Sequence, residues 1–160
     1  MKGGETMDKR LMIKTLILNA YRDITKSLRL PKPPELRFGV KSISAPGTRT
    51  LAEYDPKTNV ITIYIVDVIV SKYPIVEILL HEIRHYMQAH PVMVPDEIFD
   101  DNLFHFVDMA VRASLEDKKL PLEVFEEDAS EFAKRNESQF SDWSERVGRL
   151  VEDIHRMYNK

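Results

Sequence analysis

The chain has 160 residues, 23 basic and 26 acidic, for a net charge of −3, and it contains no cysteine. That length fits one domain, 1–160, able to bury roughly two-thirds of the surface its unfolded form exposes. No stretch concentrates Lys and Arg into a phosphate-binding surface, so nucleic acid is not an expected partner. Without cysteine, disulfides, thiolate metal sites and thiol catalysis are excluded, and any metal must be held by imidazole nitrogen and carboxylate oxygen.

From Asp8 to Leu28 the apolar residues Leu11, Leu16 or Ile17, Ala20, Ile24 and Leu28 recur at three- and four-residue steps, which predicts a first amphipathic helix. Its apolar stretch Leu11–Ala20 is interrupted by Lys14 and followed by Tyr21-Arg22-Asp23, not by a small-residue cleavage site, so a folded helix is expected and not a secretion signal. No run is long enough to cross a bilayer, and a cytoplasmic protein without a membrane partner is the expectation. The high charged fraction and absent cysteine resemble the usage of thermophile proteins.

Pro31-Lys32-Pro33-Pro34 ends the helix, and the period then changes to two: Leu36, Phe38 and Val40 alternate with Arg37, Gly39 and Lys41, as in a half-buried strand. A loop is expected around Ala45-Pro46-Gly47. Beyond it, Thr50–Tyr54 and Val60–Ile65 flank the turn-forming Asp55-Pro56-Lys57-Thr58-Asn59, which predicts an antiparallel hairpin. The region 35–66 should thus form a small, mostly antiparallel sheet of three or more strands. A helix over 71–90 follows, capped at or beside Ser71 and with Pro74 in its first turn, then helices at Asp96–Leu115, Pro121–Arg135 and Ser141–Tyr158. The class is α+β.

The 71–90 helix carries His81-Glu82-Ile83-Arg84-His85, an HExxH run. Two histidines four apart lie one above the other on a helix and can grip one cation, and the glutamate beside the first is placed to work on metal-bound water. The core stripe of this helix is Val76, Leu80, Ile83 and Met87. At the helical step, His81 and His85 point about 150° away from it, toward a cleft.

A catalytic zinc needs a third protein ligand and an open position. A third His six residues after the second is ruled out, because that position is Pro91 and His90 lies one residue off. The other common source is a carboxylate on a later helix. On Pro121–Arg135 the stripe Leu122, Phe125, Ala129, Phe132 puts Glu126 about 70° from its centre, Glu127 about 170° and Asp128 about 90° on the other flank. This favours Glu126 and leaves Asp128 open.

The order of helix, strand and hairpin of the type Ala52-Glu53-Tyr54-Asp55-Pro56…Val60-Ile61-Thr62-Ile63, an HExxH helix, then Glu126-x-x-Ala129-x-x-Phe132-Ala133 resembles the gluzincin zinc metallopeptidases, and among them the compact minigluzincin, SprT-like and ImmA/IrrE-like domains. The resemblance covers Leu36 to Arg135 and implies a zincin-like fold. It also implies one Zn2+ per chain on His81, His85 and Glu126, Glu82 as general base, and a peptide or unfolded protein as substrate. In such families an Asp four residues after the ligand Glu often orients a zinc-bound His; this chain has Ser130 there, a weaker partner. Tyr54, Tyr86 and His105 are the candidate oxyanion donors.

Plainer readings stand beside these. His105 on an aromatic helix fits a packing role, Arg84 a solvated or ion-paired one, and Phe104, Phe106, Phe132, Phe140 and Trp143 fit the core. Glu82-x-x-His85 and Glu152-x-x-His155 also match the step of di-iron carboxylate bundles, with Glu97 and Glu126 as lone carboxylates, but that leaves His81 without a role. A zincin-like domain kept as a binding or regulatory module is the non-enzymatic alternative. The first or last helix, laid over the cleft, would make the enzyme latent.

Overall fold

The computed structural model describes residues 2–42 and 50–159, with side chains for 9, 11–42 and 50–159; the expected loop at Ala45-Pro46-Gly47 lies outside the described residues. In chain order the elements are helix α1 (Lys2–Ser27), strands β1 (Glu35–Gly39), β2 (Ala52–Asp55) and β3 (Val60–Tyr64), then helices α2 (Ile65–Ser71), α3 (Ile75–Ala89), α4 (Asp101–Leu115), α5 (Leu122–Asn136) and α6 (Ser141–Tyr158). The protein is α+β, with a three-stranded mixed sheet.

The hairpin forms as its turn residues dictate. Asp55 Oδ1 accepts from the Lys57 N–H at 2.9 Å, Asn59 takes the left-handed conformation (φ 55°), and its N–H closes on Asp55 O at 2.8 Å. The mostly antiparallel sheet does not hold, however: β1 pairs with β3 in parallel, and the order is β1-β3-β2. Alternating hydrophobicity sets which face of a strand is buried and says nothing of its direction. The consequence for function is that β2 becomes an edge.

Helix α3 occupies the centre and touches α1, α4, α5, α6 and β2. Its predicted stripe Val76, Leu80, Ile83 and Met87 is fully buried. The α1 stripe is Ile13, Ile17, Ala20, Tyr21, Ile24 and Leu28, whereas Leu11, expected inside, is 65% exposed. Leu11 stands about 200° around the helix from Ile13, which explains its position.

The motif helix starts at Ile75, not at Ser71. Between β3 and α3 lies α2, which the sequence reading missed; it buries Ile65, Val68 and Ile69 at helical spacing and ends in left-handed Lys72 (φ 57°). Ser71 serves that end, its Oγ donating to Val68 O and accepting from the Tyr73 N–H. Pro74 is the residue before the first turn of α3, and the Val76 N–H is satisfied from α6 by Ser144 Oγ at 3.1 Å. The next helix likewise begins later than Asp96. Short 3-10 turns fill Pro91–Met93 and Asp96–Ile98, and Asp100 caps α4 by accepting from the Leu103 N–H at 2.7 Å. Phe104, expected in the core, is exposed.

Candidate metal centre and cleft

Helices α3 and α5 run against each other, with the small Ala129 and Ala133 fully buried where they meet. That close approach carries Glu126 across to the histidines. Its Oε2 lies 2.9 Å from His81 Nε2 and its Oε1 3.1 Å from His85 Nε2. The three ligand atoms lie within 4.8 Å of one another, and this is the one group of this kind among the described residues. Two imidazole nitrogens and one carboxylate oxygen, open to a cleft on one side, form a donor set that suits a borderline divalent ion such as zinc.

Asp128, the other candidate ligand, faces away from this point. Its Oδ2 accepts from Arg84 Nε at 2.7 Å and from Gln88 Nε2 at 2.9 Å. Arg84 is 0% exposed and not solvated; its guanidinium also grips Asp100 at 2.9 and 3.2 Å and lies 4.6 Å over the Phe132 ring. One buried cation thus ties α3 to the cap of α4 and to α5.

Burial lowers the His81 pKa and the neighbouring His85 lowers it further, against the opposing pull of Glu126, so the ring is biased to the neutral form that a metal requires. Ser130 Oγ stands 3.5 Å from His81 Nδ1, at the limit of a hydrogen bond. His85 Nδ1 instead meets Gln88 Oε1 at 2.8 Å. Glu82 is buried beside the site, and its carboxyl is pushed up to about 8, first by burial and then by the Glu126 charge, against a backbone hydrogen bond from Tyr54.

The cleft, of about 710 Å³, is lined by β2 and its turn (Ala52, Glu53, Tyr54, Pro56), by α3 (His81, Glu82, His85) and by α5 (Leu122, Phe125, Glu126). It continues into a smaller hollow of about 340 Å³ beside Tyr73, Glu77, Ser130 and Lys134. Leu122, read as core, is 71% exposed at this mouth. None of the residues lining either space comes from α1 or α6, so among the described residues neither helix covers the site.

The remaining candidates scatter. Tyr54 lines the cleft, with its hydroxyl donated to Asn59 Oδ1 at 2.8 Å. Tyr86 is buried against Tyr54 and His90 and does not line it. His105 is exposed on α4, neither packed in the core nor lining the cleft. The second di-iron step does not join the site: Glu152 is exposed and His155 Nε2 is bound to Ile69 O. Sequence reasoning missed Gln88, Asp100 and Lys134. The last had a signal, since Glu126, Ser130 and Lys134 follow one another at steps of four on α5.

No family model, no curated protein and no solved structure matches this chain.

Proposed function

We propose that this chain is a single-zinc peptidase of the gluzincin type, acting on peptides or unfolded protein segments. The observation that carries the reading is the convergence of His81 Nε2, His85 Nε2 and the Glu126 carboxylate on one point beside the buried Glu82. Zinc held by those three residues would supply a Lewis acid for the scissile carbonyl and bring the pKa of water down to about 7.

The chain supplies the rest. A divalent cation beside Glu82 would oppose the effect of burial and favour its ionised form. That carboxylate would take a proton from the attacking water and deliver it to the leaving amine as the peptide C–N bond breaks. The edge strand stands beside it, and the Tyr54 backbone N–H acts to favour its ionised form. Leu51 O accepts from the Tyr64 N–H at 2.9 Å, so in the antiparallel pair Leu51 and Glu53 face β3 while Ala52 and Tyr54 turn their backbone groups outward. A substrate strand adding along β2 would pair with Ala52 and with the Tyr54 carbonyl, presenting its carbonyl groups to the centre. Leu122 and Phe125 offer an apolar wall for a side chain on the His85 side.

The test is metal analysis together with proteolysis of an unfolded protein. The expected result is one zinc per chain and cleavage that disappears in Glu82→Gln with zinc retained. Zinc without cleavage in the wild type selects the binding-module reading, which the long Ser130–His81 contact favours; no zinc at all sinks both.

A further inference from the structure

We propose that Gln88 is the positioning residue of the metal centre: anchored by Asp128 and Arg84, it locks His85 in the tautomer that presents a bare Nε2 to the ion. The inference rests on the zinc reading above and adds the device that holds the ligand in its binding form.

The argument runs inward from the buried cation. Arg84 has donors only, so the two Asp128 oxygens it touches, at 2.7 and 3.1 Å, are both acceptors. Asp128 Oδ2 also receives Gln88 Nε2 at 2.9 Å, and the same nitrogen reaches Phe125 O at 3.0 Å. Both groups facing that end of the amide are acceptors, so the amide has one orientation, with Oε1 turned to His85 Nδ1 at 2.8 Å. An amide oxygen cannot donate, and Nδ1 must therefore carry the hydrogen. In the neutral ring Nε2 is then a lone pair, and it faces Glu126 Oε1 at 3.1 Å. Two acceptors at that separation are reconciled by a proton or by a metal ion between them, and zinc is the occupant the proposed function supplies.

Ligating histidines commonly donate their second N–H to a carboxylate or carbonyl, which fixes the ring and raises its basicity. Here that carboxylate is absent from position 130 beside His81. It sits at 128 and acts on the other histidine through one amide. Gln88 lies one turn beyond His85 on the buried flank of α3, so its side chain needs no loop to position it.

The test reads the histidine directly. Long-range 15N–1H spectra of the metal-free protein should show His85 protonated at Nδ1 and bare at Nε2. In Gln88→Met the signals should shift toward a tautomer mixture, and zinc affinity, measured by chelator competition, should fall about 10- to 100-fold. Gln88→Glu keeps an acceptor against Nδ1 but sets an oxygen against Phe125 O and Asp128; it should lower Tm while holding zinc affinity within a few-fold of wild type. A purely structural role would move Tm and affinity together in both variants. A wild-type His85 carrying its proton on Nε2 overturns the proposal, and so does unchanged affinity in Gln88→Met. If the wild type shows the Nδ1–H tautomer and yet binds no zinc, the lock stands as a fact about the ring, and it is the peptidase reading together with the metal role of Gln88 that falls. Should Gln88→Met not fold, the wild-type spectrum still decides.

Discussion

Helices α3 and α5 share two polar clusters less than one turn apart, and the two are built in opposite ways. Arg84 with Asp100 and Asp128 is closed: the cation is 0% exposed, every guanidinium nitrogen has a carboxylate partner, and Phe132 roofs it. His81 and His85 with Glu126 form the open one, where the carboxylate side chain is 49% exposed at a cleft and three potential ligand atoms lie within 4.8 Å of one another. The first cluster satisfies itself and so holds helices together. The second turns three potential ligand atoms toward open space, and the zinc proposed above would bind there.

The difference predicts opposite responses to removal of one member. Arg84→Met leaves two carboxylates without their common partner, one of them with a side chain only 10% exposed, and should cost about 3–5 kcal/mol in urea unfolding. Glu126→Gln removes a half-exposed carboxylate and should change the stability of the metal-free protein by less than about 1 kcal/mol. Zinc affinity in Glu126→Gln should nevertheless drop by more than the roughly 10–100-fold typical of an outer partner. Equal stability losses in the two variants would erase the distinction.

The closed cluster also carries an acid signature. Burial raises the Asp100 pKa, but hydrogen bonds from Arg84 and the Leu103 N–H, with the charges of Arg84 and Arg135, outweigh it and leave the carboxyl lowered. Asp128 shares Arg84 and faces the same cation from α5. The folded Asp100 value lies below the unfolded one of about 3.9, so the stabilisation from Asp100 is present above about pH 5 and is lost as pH falls through the folded pKa. The stability gap between wild type and Asp100→Asn, followed by urea unfolding from pH 7 to pH 3, should therefore narrow as the solution becomes acidic. A gap that is constant across that range would show that Asp100 acts as a neutral cap and not through its charge.

The open cluster was more legible in the sequence than the closed one. His81, Glu82 and His85 announce themselves by spacing, and the rotation of Glu126 about α5 sufficed to choose it over Glu127. Arg84 carries no such signal, because a charged residue inside a motif helix reads equally as solvated or ion-paired until its partners are known, and those stand 16 and 44 positions away. Asp128, about 90° around on the other flank, stays open as a ligand on sequence alone, but the cation it faces is Arg84, supplied by the chain. Other losses have the same origin. The β-branched run Ile65–Val70 looks like more strand, yet only its helical spacing buries Ile65, Val68 and Ile69. The parallel pairing of β1 is a choice between partners that no local pattern encodes.

The finest form of the comparison lies within the open cluster, between its two imidazoles. His85 has an amide oxygen at 2.8 Å, backed by a carboxylate and a buried arginine; His81 has a serine hydroxyl at 3.5 Å that can donate or accept. A contact so long and so indifferent to the tautomer should contribute little, and Ser130→Ala should change zinc affinity by no more than about threefold, well short of the roughly 10–100-fold of a well-made outer partner. Ser130→Asp should act in the other direction, because a carboxylate accepts from the Nδ1–H more strongly than a hydroxyl and fixes the ring with Nε2 bare. A rise in affinity in the aspartate variant alongside a neutral alanine variant would mean that the His81 side is left loose in this chain and that its orientation burden falls on the Gln88 side. A large loss in Ser130→Ala would show that the hydroxyl closes on His81 once the ion is bound, and the asymmetry between the two histidines would disappear.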